Sequence, residues 1–115
     1  MQMTGSRELR IFLLEPNRLW REGLSRVLED TGYSVVAAAG SLSEGLAELA
    51  RDGDAPDVVV LDASAIVDDP AGEFDAARAR FPETRIVVFT DPDAPGDALS
   101  CFLAGADGCL MKNIS

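Results

Sequence analysis

Five residues of this chain have side chains suited to phosphate chemistry, and each stands where an apolar run gives out. Glu15 follows "IFLL", Asp62 closes "VVVLD", Thr90 closes "RIVVFT" with Asp91 next to it, and Lys112 follows "CLM". Carboxylates can hold a divalent cation or attack phosphorus, while a hydroxyl and an ammonium can bind phosphoryl oxygens. Any one of the five taken alone reads as a solvated loop residue. The joint pattern points to phosphate, because Lys112 is the sole lysine beside nine arginines.

These positions gain meaning from the runs that precede them. Apolar stretches at 11–14, 35–39, 58–61, 86–89 and 109–111 are short, unalternated and rich in β-branched residues. That is the signature of parallel strands buried on both faces. Between them lie helix-like segments. Leu24, Val27 and Leu28 form a stripe in "RLWREGLSRVLEDTG", with Gly32 as the stop. Ser41 and Glu44 have capping-box spacing ahead of "GLAELAR". "GEFDAARARF" and "GDALSCFLAGA" fill the third and fourth connections. Alternating strand and helix predicts an α/β, doubly wound, five-stranded parallel sheet, whose ligands bind beyond the carboxyl ends of the strands.

At 115 residues, 47% hydrophobic and 26% charged, the chain fits one globular domain spanning 9–115 after a flexible tail at 1–8. No apolar run is long enough to span a bilayer, and "MQMTGSRE" lacks the features of a signal peptide, so the expected compartment is the cytoplasm. A net charge of −10 argues against direct nucleic-acid binding. Without histidine, Ser-His and Cys-His catalysis and His-ligated metals are excluded. Cys101 and Cys109 read as small buried hydrophobes rather than a redox pair. The sequence stops at "KNIS", directly after the fifth run and before the helix that would normally cover the remaining face, so the expectation is a domain cut from a longer protein, in which apolar surface left exposed there would favour pairing with another chain.

"LWREGLSRVLE", "PDVVVLD", "ARFPETRIVVFT" and "AGADGCLMKNIS" together resemble receiver domains of two-component response regulators, the CheY-like superfamily, and among them the NarL/FixJ type. The resemblance implies a flavodoxin-like strand order, 2-1-3-4-5. It makes Asp62 the phosphoacceptor, Thr90 the switch hydroxyl and Lys112 its partner. It further implies a histidine kinase as phosphodonor, a homodimer, and DNA contact only through a C-terminal helix-turn-helix domain outside this chain. Such a module is not an enzyme in the usual sense; the added charge moves loops.

The chain departs from the family at several points. Two adjacent acids normally end the first strand, the second a direct Mg²⁺ ligand; here they are Glu15 and Pro16. Proline offers neither a carboxylate nor a backbone N–H. Two carboxylates about 4 Å apart repel by about 4 kcal/mol at an effective dielectric near 20, so losing one reduces the demand for a cation. Any Mg²⁺ on Glu15 and Asp62 is therefore expected to bind weakly. Asp91 stands where a small residue is usual, and either narrows the donor's path or replaces the missing acid. Cys109 is too small to serve as the aromatic rotor, and "ASAIVDDP" lacks the usual loop-shaping residues. The expectation is an atypical receiver with weak or absent Mg²⁺-dependent phosphorylation at Asp62. The alternatives are a conventional phospho-switch, or a stand-alone dimerisation or small-molecule-sensing module. A metal-dependent phosphotransferase is disfavoured because Ser64 occupies the position where such enzymes carry a second acid.

Overall fold

The computed structural model describes residues 8–52, 55–65, 70–90, 103 and 105–111. Five strands, β1 (Arg10–Leu14), β2 (Ser34–Ala39), β3 (Val58–Asp62), β4 (Arg85–Thr90) and β5 (Gly108–Met111), form one parallel sheet in the order β2-β1-β3-β4-β5. Helices α1 (Arg18–Asp30), α2 (Leu42–Asp52) and α3 (Pro70–Arg80) fill the first three crossovers, with a short 3₁₀ turn at Ala63–Ala65. The doubly wound arrangement and its strand order match the expectation. Most of the fourth crossover, with Cys101, and most of the tail lie outside the described residues.

The helix signals act as read. Gly32 ends α1 with φ of 105°, a conformation that glycine adopts without a Cβ penalty. Ser41 caps α2 by accepting the Glu44 amide at 3.3 Å, and its hydroxyl donates to the Glu44 carboxylate at 3.0 Å. Gly45 is required by packing: a Cβ there would lie 2.0 Å from the Phe12 ring, so α2 sits directly on β1.

Burial on both faces holds for the central strands β1 and β3, each buried at four of its five positions, but not for β2 and β4. One face, under α2 and α3, is dense, with thirteen buried residues including Phe12, Leu49, Phe74 and Val88. The other, under α1, has Ile11, Leu13 and Val60 as its buried residues among those described. In consequence β2 and β4 alternate between buried and half-buried residues. Among the described residues α1 is the helix that packs on that face. The stripe read on α1 also needs correction. Leu24 and Leu28 pack on the sheet, but Val27 is 60% exposed. Cys109 is half-buried rather than buried.

Two aspartates fix the amino ends of strands. The Asp57 amide donates to Arg10 O at 2.8 Å, and its Oδ2 accepts the Arg10 amide at 2.8 Å. Asp107 repeats this against Ile86, at 2.8 Å both ways. Arg78 of α3 donates to Asp107 Oδ2 at 3.0 Å and also to Gly105 O, tying α3 to the start of β5.

Candidate functional site

Among the described residues four polar or charged side chains are buried: Glu15, Asp62, Thr84 and Thr90. Thr84 is accounted for structurally, since its hydroxyl donates to Pro56 O at 2.6 Å. The other three gather at the carboxyl end of the sheet. Leu14 pairs with Leu61, which sets Glu15 level with Asp62 on the neighbouring strand. Asp62 pairs with Phe89, so Thr90 lies one residue further along β4. Central parallel strands put these side chains where the sheet has no helix to cover its end.

Each carboxylate is held by its own following loop. The Asn17 amide donates to Glu15 Oε2 at 2.9 Å, and the Asn17 side chain then caps α1 by accepting the Trp20 amide at 3.0 Å. The Glu15 amide donates to Ala39 O at 2.9 Å, while its carbonyl accepts Arg21 Nη1 at 2.8 Å. The loop is thus pinned on both sides of the exposed Pro16. At Asp62, Oδ1 accepts both the Ser64 amide at 2.9 Å and the Ser64 hydroxyl at 2.8 Å. Such bonds favour the ionised carboxylate.

Thr90 differs from the two acids. Its side chain is fully buried, yet Oγ1 has no hydrogen-bond partner among the described residues. A buried hydroxyl without a partner costs about 1–3 kcal/mol, so the position is kept at some expense in stability.

For Mg²⁺, the donors present are the carboxylates of Glu15 and Asp62, and each has one oxygen already engaged by loop donors. Pro16 adds none. Among the described residues no three acidic or thiol side chains cluster closely enough to hold a metal. Asp91 and Lys112 lie outside the described residues; Met111, next to Lys112, pairs with Thr90.

Comparison with known proteins adds the decisive finding. The model of the response regulator receiver domain family matches residues 11–115. The chain belongs to that family. As a receiver it is 31% identical over 107 residues to a nitrate/nitrite response regulator protein homolog of Haemophilus influenzae, covering 92% of the chain and 50% of that protein. It is 30% identical to the nitrate/nitrite response regulator NarP of Escherichia coli, covering 96% and 51%. It is 33% identical to the transcriptional activator DevR/DosR of Mycobacterium tuberculosis, covering 92% and 48%. The receiver spans about half the length of these curated relatives. A receiver domain of a Mycobacterium tuberculosis NarL superposes with a TM-score of 0.76 at 26% identity, covering 96% of this chain and 88% of that one. A receiver from Clostridium thermocellum, at 20% identity and a TM-score of 0.74, matches in fold, covering 92% and 83%. This is a NarL-type receiver.

Sequence reading placed Glu15, Asp62 and Thr90 correctly at neighbouring strand ends. It missed the double grip of Ser64 on Asp62 and the anchoring of Glu15 by Arg21. Ser64 carried a signal, because serine two residues beyond an aspartate commonly closes a local turn onto that carboxylate. Arg21 carried none, since nothing local aims an arginine at a carbonyl six residues back.

Proposed function

We propose that this receiver is the signal-input half of a transcriptional response regulator, with Asp62 as phosphoacceptor and Thr90 and Lys112 as ligands of the phosphoryl group. The buried, unpartnered hydroxyl of Thr90, set beside Asp62 by strand register, carries the reading. A phosphoryl oxygen on Asp62 supplies the acceptor that this hydroxyl lacks. The reaction is phosphoryl transfer from a histidine kinase or a small acyl phosphate. One Asp62 oxygen bonds to phosphorus, the donor's P–N or P–O bond breaks, and the chain turns over no further substrate.

The pocket is atypical. Pro16 removes a direct Mg²⁺ ligand, and Ser64 occupies Asp62 Oδ1 with two donors, so Mg²⁺ binds weakly and phosphorylation is slow or absent. The domain then acts mainly by controlling homodimerisation of a DNA-binding domain that follows in the whole protein. Half-length coverage of relatives titled as response regulators and a DNA-binding activator supports that assembly.

The test is a Mg²⁺ titration with and without beryllofluoride, read by Trp20 fluorescence, on the natural chain and on Pro16→Asp. The natural chain should give no saturable response at millimolar Mg²⁺, and Pro16→Asp should restore one. A saturating response of the natural chain together with stable Asp62 phosphorylation by acetyl phosphate supports the conventional phospho-switch instead.

A further inference from the structure

Three bonds to Glu15 hold the turn at 15–17, and they are not equivalent. The Glu15 amide donates to Ala39 O at 2.9 Å, the Asn17 amide to Glu15 Oε2 at 2.9 Å, and Arg21 Nη1 to Glu15 O at 2.8 Å. Residue 16 can add no bond through its backbone nitrogen, because proline has no N–H. The Asn17 bond uses the Glu15 carboxylate itself, so it is lost when that oxygen turns to a cation. The other two use the Glu15 backbone and survive the exchange. The Ala39 bond extends the pairing of β1 with β2 and holds the chain before the turn. Arg21 instead holds the carbonyl of the planar Glu15–Pro16 peptide, and so sets the plane from which the turn departs.

The placement of Arg21 is specific. Its own amide donates to Asn17 O at 2.9 Å, so one residue bonds both ends of the turn. Its half-buried guanidinium makes no ion pair with a described residue, whereas Arg18 pairs with Glu22 and Arg78 with Asp107. A cation partly withdrawn from water ordinarily recovers the cost from a carboxylate. One lies close by: a Cβ built on Gly40 would be 3.4 Å from Arg21 Nη1, 3.7 Å from Glu44 Oε2 and 3.8 Å from Pro16 Cα. Yet Glu44 Oε2 accepts the Ser41 hydroxyl at 3.0 Å within the α2 cap, and the guanidinium goes to the Glu15 carbonyl. Gly40 does not have a positive φ, so what it supplies there is space. A single methyl would already touch the guanidinium, the Glu44 carboxylate and the turn.

We propose that Arg21 is a positioning residue for the acidic site: by holding Glu15 O it keeps the turn at 15–17 in place while the Glu15 carboxylate leaves the Asn17 amide for a cation beside Asp62. The inference rests on the reading of Glu15 and Asp62 as parts of a phosphoryl-accepting pocket. Arginine suits the task, because its charge does not depend on pH and its planar fork holds a direction. Without it the turn would have to be ordered again at each binding event, and that entropy would be drawn from the affinity.

Amide hydrogen exchange followed by NMR tests the claim on the natural chain, Arg21→Met and Arg21→Lys. Arg21→Met keeps the side chain's bulk without a donor. It should speed exchange at Asn17 about tenfold, while the amides of the buried Leu13 and Val60 keep their rates. Arg21→Lys can still donate to the carbonyl and should recover part of the protection. The second measurement titrates Pro16→Asp with Mg²⁺ in the presence of beryllofluoride, read from the amide shifts of Asp62 and Ser64. Adding Arg21→Met to that variant should raise the Mg²⁺ midpoint about tenfold, and adding Arg21→Lys should raise it less. Unchanged exchange at Asn17, or equal acceleration at Asn17, Leu13 and Val60, overturns the positioning role and leaves the pocket reading standing. Faster exchange at Asn17 with an unchanged Mg²⁺ midpoint confines Arg21 to the resting fold and overturns the role as well. A Pro16→Asp chain that never responds to Mg²⁺ overturns the pocket reading, and the positioning role with it.

Discussion

Ser64 grips a single oxygen of Asp62 twice, through its amide at 2.9 Å and its hydroxyl at 2.8 Å. The amide bond is fixed by the backbone turn, but the hydroxyl bond is a choice of side chain. It stabilises the resting carboxylate and occupies lone pairs of Oδ1, one of the two oxygens open to a cation or a phosphorus atom.

Ser64→Ala leaves the turn and removes one donor. Hydrogen bonds to charged groups are worth about 1.5–3 kcal/mol, so phosphorylation of Asp62 by acetyl phosphate should accelerate by roughly tenfold. Phosphate incorporation over time, with Asp62→Asn as the blank, reports this. An unchanged or slower rate shows that the hydroxyl bond does not restrain Asp62.

Thr90→Val keeps the shape of the side chain and deletes an unpartnered buried hydroxyl. Stability should rise by about 1–2 kcal/mol, raising Tm by several degrees for a domain of this size. The variant should also lose any fluorescence response that Pro16→Asp confers with beryllofluoride. Scanning calorimetry and the same titration measure the two effects; a fall in Tm would mean that the hydroxyl has a structural partner.

Asp107 provides a pH signature. Burial works against its charge, but the Ile86 amide, the Arg78 guanidinium and the nearby Arg85 outweigh it and hold the carboxyl below its usual value of 3.8. A depressed folded-state value means that the Asp107 contribution is complete above about pH 4 and is lost as pH falls through the lower folded-state value. Asp107→Ala should therefore destabilise the protein near neutrality, by about 1 kcal/mol from the Ile86 amide left without its acceptor and the lost, partly exposed Arg78 contact. The difference from the natural chain should shrink below pH 4. Denaturant melts at pH 7 and pH 3 make the comparison, and a constant difference would rule out the charge as its source.

Gly45→Ala tests how α2 is seated. A Cβ 2.0 Å from the Phe12 ring forces either the helix or the ring to move, and overpacking of this kind costs about 1–3 kcal/mol. Phe12→Leu in the same chain should recover part of the loss, because the smaller side chain vacates that space. Chemical denaturation of the two single variants and the double variant measures the coupling.

Much of this architecture is legible in local sequence because the signals are local. Short β-branched runs specify strands, Ser41 with Glu44 specifies a helix start, and Gly32 a helix stop, each through contacts a few residues apart. The strand ends also put Glu15, Asp62 and Thr90 in view as one chemical set, since a parallel sheet carries every carboxyl end to the same edge. Resemblance to known receivers, rather than periodicity, provided the strand order.

What only the tertiary structure decided depends on residues far apart in the chain. Nothing near Asp57 or Asp107 says that each clamps the amide of a neighbouring strand, 47 and 21 residues away. Val27 has the spacing of a core residue, and only the placement of α1 on the sheet turns it outward. Thr90 reads as a strand-end hydroxyl; its lack of a partner among the described residues appears only when the neighbouring strands are in place. Local sequence fixes which groups stand at an element's end, whereas register and packing fix which of them meet.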